Sequence, residues 1–414
     1  MKISSKYFPR WFYLGLLTNL TAWATSWLNI KPFSVYTFFF IWLGFILIID
    51  GLNYRQNGSS MISRNFKGLL FLFAISTTFW WFFEFAVFIT KNWYYISNVT
   101  IPISVEQILS GLFFSTVMPA VFEMAELLKT FNLFIIKQLL VRLPRQTPVM
   151  FLIMGIAAIF LPLIRPDLFF PLLWVSLFLI LDPINYWRGY DSLSGDILEN
   201  NWQRLLYFGI ATLICGFFWE MWNYHASIKW FYEIPYVGSL KIFEMPLLGY
   251  LGYIPFGFEI FAVYCFVRGI FGFPKRELSN LTTKEYNYSY VKWAIVSATL
   301  LIAATTIISG LIITNNWANL MAKPVVDYIP TITNSELVLN YTGIIKHCQY
   351  SFVPGYCLET KDNQHYLLVN NNGETINTNT GEVIIISDTI IKNKIGVDEL
   401  IANKINYLNR QSSD

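Results

Sequence analysis

Residues 217–264 read FFWEMWNYHASIKWFYEIPYVGSLKIFEMPLLGYLGYIPFGFEIFAVY. The stretch is almost wholly apolar and aromatic, yet it carries Glu220, Glu244 and Glu259. Glu220 and Glu259 lie inside hydrophobic runs. A carboxylate at membrane depth costs roughly 2.5–3.5 kcal/mol on insertion scales, so it persists where something pairs it or uses it. Residues 79–128, FWWFFEFAVFITKNWYYISNVTIPISVEQILSGLFFSTVMPAVFEMAELL, answer this stretch. Glu84 and Glu220 are 220−84=136 apart, Pro119 and Pro255 are 255−119=136 apart, and Glu123 and Glu259 are 259−123=136 apart. Upstream, Asp50, Asn53, Tyr54 and Arg55 answer Asp182, Asn185, Tyr186 and Arg188, with 182−50=132; Trp42 and Trp174 share that spacing, 174−42=132. Polar residues recurring in register within apolar sequence predict an internal duplication of about 135 residues.

The composition sets the class. Of 414 residues, 55% are hydrophobic and 13% charged, where a soluble chain carries about 25% charged residues. The mean hydropathy is +0.46. These values predict an all-α polytopic membrane protein. Apolar stretches of about 17–25 residues can span a bilayer. They fall near 11–29, 33–53, 67–90, 104–128, 148–164, 168–186, 203–224, 245–271 and 293–314. The expected architecture is about nine helices: a first repeat over 1–145, a second over 146–290, and a last helix with its linker over 291–324. Four helices per half make the two repeats parallel, related by an axis near the membrane normal. Lys and Arg near the helix ends number seventeen on the N-terminal side, against Lys31, Lys91, Arg165, Lys229, Lys241 and Lys323 on the other. The bias predicts a multi-pass protein of the plasma (inner) membrane with a cytoplasmic N-terminus.

Residues 325–414 change character. They are rich in Asn, Thr, Ile and Val, alternate apolar with polar, and carry the turn signals NNNGE and NTGE. They predict a small β-rich domain outside the membrane, on the extracytoplasmic side, with helical spacing at VDELIANKINYLN. Cys348 and Cys357 flank SFVPGY there, and an oxidising compartment would let them bridge.

Three groups of residues could carry chemistry. The first comprises Glu84, Glu123, Glu220 and Glu259. Trp81 shares a helix face with Glu84, and Trp219 precedes Glu220, which shares its face with Asn223 and Tyr224. A carboxyl group kept out of water holds its proton more firmly and can act as a proton donor, and aromatic faces stabilise a developing cation. That combination suits acid-initiated chemistry on an isoprenoid or other lipid. The competing reading is that the carboxyl groups only hold helices together. The second group, Asp50 with Arg55 and Asp182 with Arg188, reads as a structural pairing at helix ends or as a site for a lipid phosphate. The third, Lys91 and Lys229 with the aromatic residues that follow them, reads as interfacial anchoring, with Glu106 and Glu244 as partners for the lysines.

The residues of the first group resemble the small integral-membrane lycopene cyclases of the heterodimeric and fused type. In each repeat of that family an acidic residue late in one helix is followed by an aromatic W-x-F/Y and then by a Pro-x-Glu-Glu helix. Here the second half reads Trp219-Glu220, Trp230-Phe-Tyr232 and then Pro255 and Glu259; the first reads Glu84, Trp93-Tyr-Tyr95, Pro119 and Glu123. A single Glu, spaced Pro-x-x-x-Glu, stands in for the family's pair. The resemblance implies redox-neutral cyclisation without a metal, with Glu84, Glu123, Glu220 and Glu259 as acid and base.

No nucleotide-binding loop and no metal-ligand spacing stands out, so no cofactor, no metal and no nucleic acid is expected. The expected partners are membrane lipid and an envelope partner for the C-terminal domain. Two rivals to the enzyme stay open: a transporter or channel-like protein with carboxylates along its path, and a membrane scaffold that presents the C-terminal domain.

Overall fold

The computed structural model describes residues 7–90, 92–97, 103–131, 143–232, 234 and 240–271, together with strand segments between 339 and 407. Among the described residues, seven segments are long and apolar enough to cross a bilayer: Phe33–Asn57, Met61–Val87, Val105–Thr130, Thr147–Ile164, Pro166–Arg188, Gln203–Asn223 and Leu247–Ile270. The architecture is compatible with an integral membrane protein. The expected first span is the helix α1 (Arg10–Trp27), whose sequence RWFYLGLLTNLTAWATSW is broken up by Thr, Asn and Ser and is not among the seven. The expected span at 293–314, and the linker around it, lie outside the described residues.

The first half of the chain contains α1, α2 (Thr37–Asn57), α3 (Met61–Thr90), the strand β1 (Trp93–Ser97), α4 (Ile103–Phe114) and α5 (Val117–Thr130). The second contains α6 (Thr147–Ile164), the short α7 (Pro166–Phe169), α8 (Leu173–Arg188), α9 (Leu193–Leu198), α10 (Gln203–Asn223), β2 (Ile228–Tyr232), the two-residue strands β3 (Lys241–Ile242) and β4 (Met245–Pro246), and α11 (Tyr253–Ile270). Uninterrupted apolar sequence makes these helices, since a backbone in lipid must satisfy its own polar groups. Both α2 and α8 stop at a glycine in the left-handed region, Gly58 (φ 73) and Gly189 (φ 69), the conformation that ends a helix without a Cβ penalty. In each half α1 packs on α2 and α6 on α8, and the last helix packs on that second helix and on the helix that ends at the β1–β2 pair: α5 on α2 and α3, α11 on α8 and α10. The outward sides of α1 and α6 expose Leu14, Leu17, Leu20, Ile153, Met154 and Phe160, the surface expected to face lipid.

The seam between the halves is aromatic. Trp42 of α2 meets Trp219 of α10 at 5.0 Å between ring centroids, and Trp174 of α8 stacks on Phe83 of α3 at 4.8 Å. These contacts reciprocate: 174−42=132 and 219−83=136. Phe122 joins the seam against Phe208 and Tyr264. Such pairs contribute about 0.5–1.5 kcal/mol each beyond the area they bury.

At one end of the bundle, β1 and β2 pair antiparallel with Trp93 opposite Tyr232 and Tyr95 opposite Trp230. Seven further strands follow: β5 (Leu339–Tyr350), β6 (Val353–Thr360), β7 (His365–Val369), β8 (Gly381–Ser387), β9 (Ile390–Lys392), β10 (Asp398–Ile401) and β11 (Lys404–Tyr407). Strand β5 pairs with β1 at Tyr95–Ser97, with β6 and with β8, so the C-terminal strands continue the sheet that roofs the helices. The helical reading of VDELIANKINYLN is overturned: β10 pairs parallel with β7, and β11 pairs antiparallel with β8. Isolated segments this short do not sustain a helix alone, whereas strand partners supply their backbone hydrogen bonds. Cys357 is disulfide-bonded. Its expected partner Cys348 lies on the neighbouring strand, opposite Gly355, with its side chain outside the described residues.

The Asp residues of the second group act as helix caps. Asp182, fully buried, accepts from the backbone N–H of Leu193 at 2.8 Å and of Ser194 at 2.6 Å. Asp50 accepts from the N–H of Ile62 at 2.8 Å and from the Trp11 indole at 2.8 Å. Each ties the end of one helix to the start of the next, and an anion at a helix N-terminus is favoured by the exposed N–H groups there. Arg55 lies over the Phe8 ring at 4.2 Å, and Arg188 is exposed. The neighbouring asparagines stitch the same helices: Asn53 donates to the Glu123 carbonyl at 3.0 Å, and Asn185 to the Ala262 carbonyl at 2.9 Å. Asp182→Ala should therefore strand two buried donors, each costing about 1–3 kcal/mol, and lower the thermal midpoint in mild detergent. Arg188→Ala should leave stability within about 0.5 kcal/mol. Comparable losses in the two variants would restore the Asp–Arg pairing.

Candidate functional site

The four repeat-spaced glutamates separate into two kinds. Glu123 and Glu259 have no exposure and hydrogen-bond across to a neighbouring helix. Glu259 of α11 accepts from the backbone N–H of Leu177 in α8 at 2.8 Å. Glu123 of α5 accepts from the Asn53 amide at 2.9 Å. It stands one turn from Glu126, which the Arg64 guanidinium grips at 2.6 and 2.7 Å. The counterpart of Glu126 in α11 is Ala262, so this ion pair belongs to the first half.

Glu84 and Glu220 sit differently. Each lies near the sheet end of its helix, buried to 2% and 0% exposure, and each is met by a phenol from the strand that follows. The Tyr95 hydroxyl donates to Glu84 Oε1 at 2.6 Å, joined by the Trp80 indole at 2.9 Å. The Tyr232 hydroxyl donates to Glu220 Oε1 at 2.7 Å, joined by the Tyr253 hydroxyl at 2.6 Å. The second donor is supplied from a different place in each half. The position that matches Trp80 is Gly216, since 216−80=136. A Cβ on Gly216 would stand 2.4 Å from the Tyr253 ring; the missing side chain makes room for that ring.

These phenols line a cavity, partly open to the outside, between the β1–β2 pair and the helix ends; with the open solvent at its mouth its space is about 910 Å³. Its walls include Trp80, Trp93, Trp174, Trp219 and Trp230, the phenols of Tyr95, Tyr232 and Tyr253, and a rim of hydroxyls from Ser26, Ser34, Thr37 and Ser227. Asn29 organises the rim, accepting from Ser34 at 3.2 Å and from Ser227 at 3.0 Å. Glu84 and Glu220 do not line this cavity; the phenols stand between. A second cavity, of about 570 Å³, shares Tyr95, Phe113, Phe114 and Ile228 with the first and is lined by Trp81, Glu84, Glu106 and Gln107. Burial, and then the neighbouring carboxyl group, push the Tyr95 and Tyr232 hydroxyls well above the usual phenol range. Both therefore remain protonated donors.

The remaining expected residues find other places. Asn223 spends both ends of its amide on Trp230, donating to its carbonyl at 2.8 Å and accepting from its N–H at 2.9 Å, and so fixes β2. Tyr224 is half-exposed at the sheet end, under Lys229 Nζ at 4.7 Å. Lys229 pairs with Glu244 at 2.5 Å, as its spacing suggested; Lys91 lies outside the described residues. Asp50, Arg55, Asp182 and Arg188 gather at the opposite end from the cavity. Among the described residues no group of three or more His, Cys, Asp or Glu could hold a metal ion.

The phenols escaped sequence reasoning, although the spacings 95−84=11 and 232−220=12 place a tyrosine at nearly the same distance after each glutamate. Tyr253, within a Gly- and Leu-rich run, gives no such signal. Gly216→Ala should lower stability by about 1–3 kcal/mol through overpacking against Tyr253. Adding Tyr253→Ala should recover part of that loss, a non-additivity that thermal unfolding of the two single variants and the double variant measures; strict additivity would sink the fitted-ring account. No protein-family model matches the chain, and no curated protein or solved structure matches it significantly.

Proposed function

We propose that the chain is an integral-membrane enzyme that works on an isoprenoid or other lipid by acid/base chemistry, with the aromatic cavity as its site. The observation that carries this reading is the three cavity-lining phenols hydrogen-bonded to two buried carboxyl groups. A carboxyl group behind a phenol can pass a proton forward: the carboxyl gives its proton to the phenol oxygen as the phenol gives its own to the ligand. Glu84 with Tyr95, and Glu220 with Tyr232 or Tyr253, are the proposed acid/base pairs, and Trp219 and Trp174 are proposed to hold the apolar body of the ligand. Glu123 and Glu259 keep the positioning role their partners give them, and Trp81 borders the second cavity as a wall of Glu84. The cyclase resemblance agrees with a carboxyl group and aromatic residues around an apolar cavity, and departs from this arrangement at Glu123 and Glu259.

The same reading includes an internal duplication, supported by the reciprocal Trp42–Trp219 and Trp174–Phe83 contacts, the two Asp caps and the β1–β2 pairing. It places the N-terminus in the cytoplasm on the charge bias, which sets the cavity and the C-terminal strands at the outer face. An apolar cavity flanked by carboxyl groups favours an enzyme over a transporter, whose carboxylates would follow one polar route. It also favours an enzyme over a scaffold, which needs no cavity.

The test is mass spectrometry of lipids that co-purify in mild detergent, comparing the natural chain with Glu220→Gln and with Tyr232→Phe/Tyr253→Phe. One isoprenoid or lipid species should accumulate in the variants at the expense of a product of altered structure. Identical lipid profiles from three stable proteins would refute acid/base action at this site.

A further inference from the structure

Helix α4 turns one face to the second cavity. Glu106, Gln107, Ser110, Phe113 and Phe114 all line it, and steps of one, three and four residues keep them on one side of the helix. Along that face the chemistry changes. A carboxyl group, an amide and a hydroxyl come first, and two phenyl rings follow; the whole face runs 114−106=8 residues, about 12 Å of helix. Phe113 and Phe114 also line the first cavity, as do Tyr95 and Ile228. The polar end of the face therefore belongs to the second cavity alone, and its apolar end leads to the first.

The second half of the chain does not repeat this polar face. The positions matching Glu106, Gln107 and Ser110 are Ile242, Phe243 and Pro246, since 242−106=136, 243−107=136 and 246−110=136. They fall in the β3–β4 hairpin and carry no side-chain donor or acceptor. In the first half, Gln107 Nε2 is buried without a hydrogen-bond partner among the described residues. A buried donor left unmade is costly, and a ligand oxygen beside it would remove that cost. Glu84 borders the same cavity. A carboxyl group that holds its proton, as a proton donor must, both donates and accepts. No Lys, Arg or His appears among the described lining residues of either cavity. A phosphate or carboxylate head would be buried there without a cation, which is unfavourable. A hydroxyl head finds donors and acceptors and brings no charge.

We propose that the second cavity holds the hydroxyl head of an uncharged amphiphilic lipid, whose apolar tail runs past Phe113 and Phe114 into the aromatic cavity. The inference rests on the reading of the aromatic cavity as the working site, and it adds the chemistry of the ligand's head and the direction in which the ligand lies.

The experiment uses the full chain in mild detergent and two photoreactive forms of geranylgeraniol, one with a diazirine beside the hydroxyl and one with it at the far end of the tail. Peptide mapping of the cross-links should place the head probe on residues 106–110 of α4 and the tail probe on the walls around Trp174 and Trp219. Unlabelled geranylgeraniol should displace both probes, and geranylgeranyl phosphate should not. Gln107→Leu/Ser110→Ala should weaken geranylgeraniol binding by about fivefold or more, the effect of a neutral hydrogen bond. It should leave unchanged the affinity of the same chain without its hydroxyl. Equal competition by the phosphate overturns the uncharged head. Head-probe cross-links confined to the aromatic cavity, or no loss specific to the alcohol in the double variant, overturn the subsite and leave the aromatic cavity as a lipid site. If neither probe labels saturably, the reading of the aromatic cavity as the working site falls as well.

Discussion

In a bilayer, water cannot solvate a buried carboxyl group, so every such group must find its partner in the protein. Seven carboxylates in the described helices, Asp50, Glu84, Glu123, Glu126, Asp182, Glu220 and Glu259, are exposed by 5% or less, and the kind of partner each finds decides its role. Asp182 and Glu259 take backbone N–H groups, which fix one helix against another and cannot relay a proton. Glu126 takes a guanidinium. Glu123 takes an amide. Glu84 and Glu220 take phenols, which donate and accept with the same oxygen. Partner chemistry thus divides carboxylates that look equivalent in sequence into those that build the bundle and those that can act in it.

The seam between the halves explains why the acting pair sits where it does. Trp42 and Phe45 fill the middle of the seam against Trp219 and Trp222, and Phe122 fills it further along against Phe208 and Tyr264. Close packing there leaves no room for a ligand. At the sheet end the helices stop and the chain crosses as the β1–β2 pair, a thin roof whose side chains alternate up and down. The space under that roof is the cavity. Glu84 and Glu220 stand behind the phenols that line it; Glu123 and Glu259 turn instead to the Asn53 amide and the Leu177 N–H.

How much of this was legible in the sequence depends on range. The helices were readable, because a span needs only a local apolar run, and α1 differs from the others through its own Thr, Asn and Ser. The glutamates were readable as unusual, because charge inside an apolar run stands out by itself. Their partners were not. Tyr95 and Tyr232 look like interfacial aromatics beside Lys91 and Lys229, and nothing local tells a tyrosine anchored in the headgroups from one turned back under a strand. The caps were legible only in part: Asp50 and Asp182 invite pairing with Arg55 and Arg188 on the same helix, while their acceptors are filled from the start of the next helix, 12 residues on. The short C-terminal strands failed for the same reason, since the pairing of β10 with β7 is a non-local fact.

The two phenol–carboxyl clusters differ in how their donors are supplied. The Tyr95 hydroxyl and the Trp80 indole donate to Glu84; the Tyr232 and Tyr253 hydroxyls donate to Glu220. An indole N–H donates but its nitrogen accepts nothing, so Trp80 steadies Glu84 without carrying a proton, and Tyr95 is the described group that links Glu84 to the first cavity. Glu84 also borders the second cavity together with Glu106. The two phenols on Glu220 both line the first cavity, and Tyr232 further accepts from the Trp230 indole at 2.9 Å, which polarises its hydroxyl toward Glu220. Where α3 carries the indole of Trp80, the position 136 residues on is Gly216, and Tyr253 of α11 fills the space beside it.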